Sequence, residues 1–178
     1  MAVALSVAVW RGWRQQPLRK PLSLGLLAGA LAWDMSGASS MAGMGHQVGW
    51  PTVPLITLTG AKVTLSAMAN GKPMVVNLWA SWCPPCRREM PVLAAAQKQE
   101  TRVQFVFANQ GEEVSAAQSY LNSENLSLVD VVLDADAELG RAIGSTALST
   151  TLFYDPSGKL QDVHLGALSA ASLADKLE

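Results

Sequence analysis

Both cysteines of the chain stand close together, as Cys83 and Cys86, with Pro84 and Pro85 between them and Trp82 before them. Such a pair can cycle between a dithiol and a disulfide when its first cysteine begins a helix. Unpaired N–H groups and the helix dipole favour a thiolate there, and the thiolate is the form that attacks a disulfide. We therefore predict a redox-active pair in which Cys83 is the nucleophile and Cys86 is the resolving thiol.

Other uses of the same two cysteines are possible. A zinc site needs about four ligands, and the two histidines, His46 and His164, do not stand at finger-like spacing. A purely structural disulfide would stabilise little, because it closes a very short loop. A module that binds Cu(I) through Cys83, Cys86 and His164 stays open, since thiolates select soft metals. An oxidase or isomerase of protein disulfides also stays open, because only the redox potential separates it from a reductase.

The sequence predicts a secondary-structure element on each side of the cysteines. Residues 74–79 are typical of a buried strand and residues 87–99 of a helix, so Cys83 is expected where the chain passes from the sheet into the helix. Alternating strands and helices predict an α/β fold, with a mostly parallel central sheet, an antiparallel hairpin at one edge and helices on both faces. The other predicted strands are residues 55–58, 62–65, 102–108, 129–133, 150–154 and 159–165, and the other predicted helices are residues 112–122, a short one capped by residues 134–136 that reaches about residue 143, and 169–177.

Composition limits the function classes. The 178 residues carry a formal net charge of −1. This balanced charge gives no indication of a nucleic-acid partner, and none is expected. Hydrophobic residues make up 49% of the chain and charged residues 15%, which fits a globular domain with an apolar leading segment rather than a disordered chain. We divide the chain into an N-terminal segment, residues 1–47, and one domain, residues 48–178.

In the N-terminal segment, basic residues precede an apolar run, which is the arrangement of an export signal. Arg11, Arg14, Arg19 and Lys20 precede a Leu/Ala/Gly-rich run over residues 21–33. That run suits the apolar part of a signal peptide and is short for a membrane span. A signal peptide and an uncleaved membrane anchor both remain open, and either would place the domain outside the cytoplasm, because positive charge stays inside.

The residues around the cysteines resemble a known family. Residues 75–91, which read VVNLWASWCPPCRREMP, are similar to the thioredoxin-like proteins of the TlpA/ResA type, and residues 153–159 extend the likeness more weakly. The resemblance implies a thioredoxin-like fold and an exported oxidoreductase of the periplasm or the outer face of the cytoplasmic membrane. Its dithiol would reduce disulfides in substrate proteins, apocytochrome c among them, with electrons from a membrane thiol donor. We expect a monomer with no cofactor beyond the Cys83–Cys86 pair and no metal.

The resemblance also gives roles to single residues. Trp82 would shield the dithiol, and Pro84 and Pro85 would stiffen the loop and start the helix. Glu89 stands where relatives carry a glutamate near the dithiol, and it would accept or relay the proton of the resolving thiol. The simpler interpretation of Glu89 is a solvated carboxylate near the helix start. Asn77 stands where cytoplasmic thioredoxins hold an aspartate, and its amide exchanges no proton at neutral pH.

One position departs from the family. Relatives normally have a cis-proline facing the dithiol, and here Leu148, Ser149 and Thr150 occupy that loop, with Ser149 in place of the proline. The family's loop pairs its backbone with an extended substrate segment. The resemblance therefore implies that residues 148–150 bind substrate together with Trp82, Pro84 and Pro85. The sequence leaves the conformation of the Leu148–Ser149 peptide open, and it would allow the Ser149 hydroxyl to reach the Cys83 thiolate.

Overall fold

The structure, a computed structural model, describes residues 49–178. These residues form strands and helices that alternate except at two pairs of consecutive strands. The strands are β1 (Leu55–Thr57), β2 (Lys62–Val63), β3 (Met74–Trp79), β4 (Gln104–Gln110), β5 (Val131–Asp134), β6 (Thr150–Tyr154) and β7 (Leu160–Leu165), and the helices are α1 (Leu65–Ala69), α2 (Pro84–Gln99), α3 (Val114–Ser123), α4 (Glu138–Ala142) and α5 (Ala170–Leu177).

The strands form one seven-stranded sheet in the order β2-β1-β5-β4-β3-β6-β7. The central strands β3, β4 and β5 are parallel neighbours. The remaining four pairings, β1 with β2, β1 with β5, β3 with β6 and β6 with β7, are antiparallel. The α/β class is confirmed, and so is an antiparallel hairpin at a sheet edge.

The expectation of a mostly parallel sheet is wrong, and the reason lies in the length of α4. Strand β5 ends at Asp134, paired with Gln110 at the end of β4. Helix α4 has five residues, about 7.5 Å at 1.5 Å per residue, which is too short to carry the chain back along the sheet. Strand β6 therefore starts at the same end, where Thr150 pairs with Leu78, and runs antiparallel to β3.

Each face of the sheet has its own hydrophobic core. Alternate residues of β3 point to opposite faces: Val75 and Trp79 belong to one core, and Val76 and Leu78 belong to the other. The first core is completed by buried residues of α2, α3 and α5, among them Met90, Leu93, Tyr120, Leu121 and Leu173. The second is completed by buried residues of α1 and α4, among them Leu65, Ala69 and Leu139. Helices on both faces are thus confirmed, and Asn77 faces the α2 side.

Two local predictions need correction. The strand predicted over residues 62–65 ends at Val63, because the Thr64 side chain accepts a hydrogen bond from the Ala67 N–H (3.3 Å) and so caps α1. The helix predicted from Glu112 begins two residues later, at Val114, and no acidic residue lies in its first turn. Both acidic residues, Glu112 and Glu113, precede α3.

The predicted N-terminal segment, residues 1–47, lies outside the described residues, so its signal or anchor role and the domain boundary stay predictions. Within residues 49–178 no helix has both the length and the apolar character needed to cross a membrane.

A candidate active site at the start of helix α2

The two cysteines form a disulfide at the junction of sheet and helix. Strand β3 ends at Trp79, the Cys83 N–H donates to the Ala80 carbonyl (3.1 Å), and Cys83 is the N-cap residue of α2. The Cys83 sulfur accepts a hydrogen bond from the Cys86 N–H (3.3 Å). Pro84 occupies the first turn, where a missing N–H costs nothing because that group has no helical partner. The predicted place of Cys83 is confirmed.

Glu89 lies one helical turn beyond Cys86 and is fully buried, with 0% of the residue exposed. Its Oε1 accepts hydrogen bonds from Asn77 Nδ2 (2.8 Å) and from the Ser149 hydroxyl, and its Oε2 accepts one from the Leu168 N–H (2.8 Å). These donors come from β3, from the loop before β6 and from the segment before α5. The interpretation of Glu89 as a solvated carboxylate is therefore wrong.

Asn77 ties this carboxyl to the sheet. Its Nδ2 also lies 3.0 Å from Thr151 Oγ1 and 3.3 Å from Ser149 Oγ. Thr151 is its neighbour across the β3–β6 pairing. The Oδ1 atom of Asn77 is buried and has no hydrogen-bond partner among the described residues.

Leu148, Ser149 and Thr150 differ in accessibility. Ser149 and Thr150 are fully buried, whereas Leu148 is half-buried. The Leu148–Ser149 peptide is cis. The Ser149 carbonyl accepts from the Gly166 N–H (2.8 Å), and the Thr150 hydroxyl donates to the Ala147 carbonyl (2.6 Å). The Ser149 hydroxyl donates to Glu89, which is a different partner from the Cys83 sulfur considered from the sequence.

A cavity of about 400 Å³ opens beside the cysteine turn, and Trp82 and Leu148 both line it. Trp82 is 66% exposed and Pro84 is also exposed, while Pro85 is half-buried. Apolar side chains that line a cavity suit the binding of a polypeptide side chain. Shielding by Trp82 and substrate binding by Pro84 and Pro85 stay predictions.

Sequence reasoning missed the residue that fixes the loop before Cys83. Glu112 Oε2 accepts hydrogen bonds from the Ser81 N–H (2.7 Å) and from Asn109 Nδ2 (2.7 Å), and its Oε1 accepts one from the Ser81 hydroxyl (2.5 Å). Arg87 Nη1 donates to the Ser81 carbonyl (3.3 Å). Ser81 is thus held from two sides. Glu112 stands 31 residues from Ser81, so no local pattern links them.

Arg87 also joins the first turn of α2 to α3. Its Nη2 lies 2.6 Å from Glu124 Oε1, and its guanidinium lies 5.0 Å from the centre of the Tyr120 ring. Burial raises the pKa of Tyr120 above its usual value, with a further contribution from the charge of Glu124. Tyr120 therefore stays a neutral apolar surface for Trp79, whose ring centre lies 5.4 Å away.

His164 does not extend the cysteine pair into a metal site. It lies on strand β7 and pairs with Thr151 of β6. Residues 49–178 hold no group of three His, Cys, Asp or Glu side chains arranged to bind a metal. Within the described part of the chain, the Cu(I) alternative thus has no third His, Cys, Asp or Glu ligand beside the two cysteines.

The profile of the family described as Redoxin matches residues 45–177. The chain belongs to this family. A curated relative of this Redoxin domain, the thioredoxin-like protein YneN of Bacillus subtilis (strain 168), is 30% identical over 157 residues, which make up 86% of this chain and 92% of that protein. The thiol-disulfide oxidoreductase ResA of the same organism is 31% identical over 127 residues, 70% of each protein.

Further relatives agree with these. The thiol:disulfide interchange protein DsbE of Pseudomonas fluorescens biotype C is 31% identical over 72% of this chain and 71% of its own. Among solved structures, that of MTB dsbF is 29% identical, with a TM-score of 0.64, and covers 70% of this chain and 92% of that one. A secreted disulfide oxidoreductase of Mycobacterium tuberculosis is 26% identical, with a TM-score of 0.62 over 70% of this chain and 93% of that one.

These likenesses confirm the resemblance to the TlpA/ResA type and the thioredoxin-like fold. The chain is a member of the thiol-disulfide oxidoreductases, and its paired cysteines supply the redox centre.

Proposed function

We propose that the protein reduces disulfides in substrate proteins, with Cys83 as the nucleophile and Cys86 as the resolving thiol. The observation that supports it most is the Cys83–Cys86 disulfide at the first turn of α2, one helical turn from the buried carboxyl of Glu89. The disulfide is the state that the pair reaches after it has given two electrons to a substrate.

The cycle starts from the dithiol. The Cys83 thiolate attacks one sulfur of the substrate disulfide, whose other sulfur leaves as a thiolate and takes a proton. Cys86 then loses its proton and attacks the Cys83 sulfur. The Cys83–Cys86 disulfide forms, and the second substrate sulfur leaves as a thiolate. A membrane thiol donor would return the two electrons and restore the dithiol.

The positions of the two cysteines support these proposed roles. Cys83 caps α2, and its sulfur accepts the Cys86 N–H, an arrangement that would favour a thiolate. Cys83 also retains 2% exposure, whereas Cys86 has 0%. This small difference supports Cys83 as the residue that a substrate would reach first.

Glu89 is the proposed proton acceptor for Cys86. The resolving thiol must become a thiolate inside the protein, so its proton needs a nearby acceptor. A carboxyl can take it, whereas the Asn77 amide cannot. Three hydrogen bonds fix the position of the Glu89 carboxyl, one helical turn from Cys86, which supports this proposal.

The substrate is proposed to lie across the cysteine turn, against Trp82, Pro84, Pro85 and the loop of residues 148–150. The cavity lined by Trp82 and Leu148 would take one of its side chains. Relatives named as thiol:disulfide interchange proteins and a secreted oxidoreductase of the same fold support protein disulfides outside the cytoplasm as substrates, with apocytochrome c as one candidate.

The test is reduction of a disulfide-bonded protein, such as insulin, by the prereduced full chain. Cys83→Ser should lose the catalysed rate. Cys86→Ser should accumulate a mixed disulfide, which mass analysis should locate at Cys83. Urea unfolding of each variant under reducing conditions controls for loss of fold. Reduction at the wild-type rate by the doubly substituted Cys83→Ser/Cys86→Ser chain would contradict the proposal.

A further inference from the structure

Three groups within residues 49–178 donate hydrogen bonds to Glu89, and one of them can also accept through the same atom. Asn77 Nδ2 and the Leu168 N–H can only donate, so they satisfy lone pairs of Glu89 but cannot receive a proton from it. The Ser149 hydroxyl also donates to Glu89 Oε1. A hydroxyl, however, rotates and can accept as well.

We propose that Ser149 is a positioning residue for the resolving step: its hydroxyl keeps Glu89 hydrogen-bonded both as a carboxylate and as a carboxylic acid. This inference rests on the proposed proton transfer from Cys86 to Glu89. Before the transfer, the Ser149 O–H donates to Oε1. After it, the new O–H of Glu89 donates to Ser149 Oγ.

The balance of this step involves no further reactant. The Cys86 S–H bond breaks and a Glu89 O–H bond forms, while the electron pair stays on the Cys86 sulfur. That sulfur then bonds to the Cys83 sulfur, the bond between Cys83 and the substrate sulfur breaks, and the substrate sulfur leaves as a thiolate. Without the hydroxyl, the protonated carboxyl would face Asn77 Nδ2 and the Leu168 N–H, both donors. A buried donor without an acceptor is costly, so the proton transfer would become less favourable.

The burial of Ser149 limits the partners that its hydroxyl can bind. Ser149 is fully buried, so its hydroxyl has no water to bond instead. The proline that the family resemblance leads us to expect at this place has neither a donor nor an acceptor in its side chain. In this chain, the residue at that place therefore takes part in holding the proton acceptor.

A matched control is available in the same group. Thr151 is also fully buried, and its hydroxyl accepts from the same Asn77 Nδ2 (3.0 Å), but it makes no hydrogen bond to Glu89. Thr151→Val therefore removes a neighbouring hydroxyl of equal burial without touching Glu89. Ser149→Ala removes the hydroxyl proposed to act.

The experiment separates the two chemical steps by rapid mixing with a disulfide peptide, acid quenching and alkylation. Attack is measured in the Cys86→Ser background and resolution in the chain with both cysteines. We expect Ser149→Ala to slow resolution about tenfold, the effect of one buried hydrogen bond. Attack should slow by a smaller factor, because the Ser149 side chain is fully buried and the loop is proposed to meet substrate through its backbone. Thr151→Val should leave both steps within about twofold. Ser149→Thr, which keeps a hydroxyl, should restore the resolution rate.

A double-variant comparison decides whether Ser149 acts through Glu89. If it does, Ser149→Ala should slow resolution no further once Glu89→Gln is present. An equal slowing of both steps by Ser149→Ala, or its full effect in the Glu89→Gln background, would overturn the inference. If Glu89→Gln slows resolution and Ser149→Ala does not, only this inference fails. If Glu89→Gln leaves resolution unchanged, the proposed role of Glu89 fails and the inference with it.

Discussion

Removal of the Glu112 carboxylate is expected to destabilise the fold by loosening the loop that leads into Cys83. Glu112 accepts three hydrogen bonds, two from Ser81 and one from Asn109. Glu112 is half-buried and Asn109 is fully buried. The contact therefore joins the loop before the cysteines to the end of β4.

The size of the expected stability loss depends on whether each donor finds another hydrogen-bond partner once the Glu112 carboxylate is removed. A hydrogen bond to a charged group contributes about 1.5–3 kcal/mol. The Asn109 amide would lose its acceptor inside the protein, so its bond counts nearly in full. Ser81 is half-buried and can turn to water, so its two bonds count only in part. Glu112→Ala should therefore lower the free energy of unfolding by about 2–4 kcal/mol.

The neighbouring Glu113 provides the control. It is exposed, and its side chain makes no capping bond to α3. Glu113→Ala should change the free energy of unfolding by less than about 0.5 kcal/mol. Glu112→Gln, which keeps one accepting oxygen, should lose about 1–2 kcal/mol.

Urea unfolding of the oxidised protein, followed by circular dichroism, measures these differences, and an unchanged m-value shows that the unfolded state is comparable. A loss for Glu112→Ala no larger than that for Glu113→Ala would refute the assignment of Glu112 as the residue that holds this loop.

Two further predictions concern the rest of the domain. Gly60 (φ +90°) and Gly158 (φ +86°) share a left-handed backbone, but a Cβ at Gly158 would lie 2.5 Å from the Trp50 ring whereas one at Gly60 meets nothing within 4 Å. Gly60→Ala should therefore cost about 1–2 kcal/mol of unfolding free energy and Gly158→Ala about 1–3 kcal/mol more; equal losses in urea unfolding would argue against the Trp50 contact. The hydrogen bond from Lys176 lowers the pKa of Asp162 in the folded protein. This hydrogen bond therefore stabilises the fold fully at pH values above the Asp162 pKa of the unfolded chain, and its contribution is lost as the pH falls through the Asp162 pKa of the folded protein. Lys176→Met should return the Asp162 pKa toward its ordinary value in an NMR titration, and an unmoved titration would contradict the pairing.

Local patterns were enough to predict the elements that carry the cysteines. The apolar run of β3 and the helical pattern of α2 were confirmed, because a buried strand and an amphipathic helix leave periodic signals in the sequence. The cap at Thr64 was missed, because a short Lys-Val-Thr-Leu alternation equally fits a strand. Strand direction was missed because it depends on the length of α4 rather than on any periodicity.

The chemical surroundings of the cysteines were less predictable. The resemblance gave Glu89 a place near the dithiol, but nothing in the sequence shows its burial or its contact with Ser149, 60 residues away. The same holds for Glu112 and Ser81. Such contacts arise when the sheet brings distant segments together, so they appear only in the folded chain.

The reduction potential of the Cys83–Cys86 couple tests the central claim most directly. It is measured by equilibration against glutathione or dithiothreitol, with alkylation and mass analysis of the two forms. A reductant fed by a membrane thiol donor should give a value near or below about −230 mV, toward the thioredoxin end of the range. A value near about −120 mV would mean that the pair oxidises its substrates and would contradict the proposed direction of electron flow.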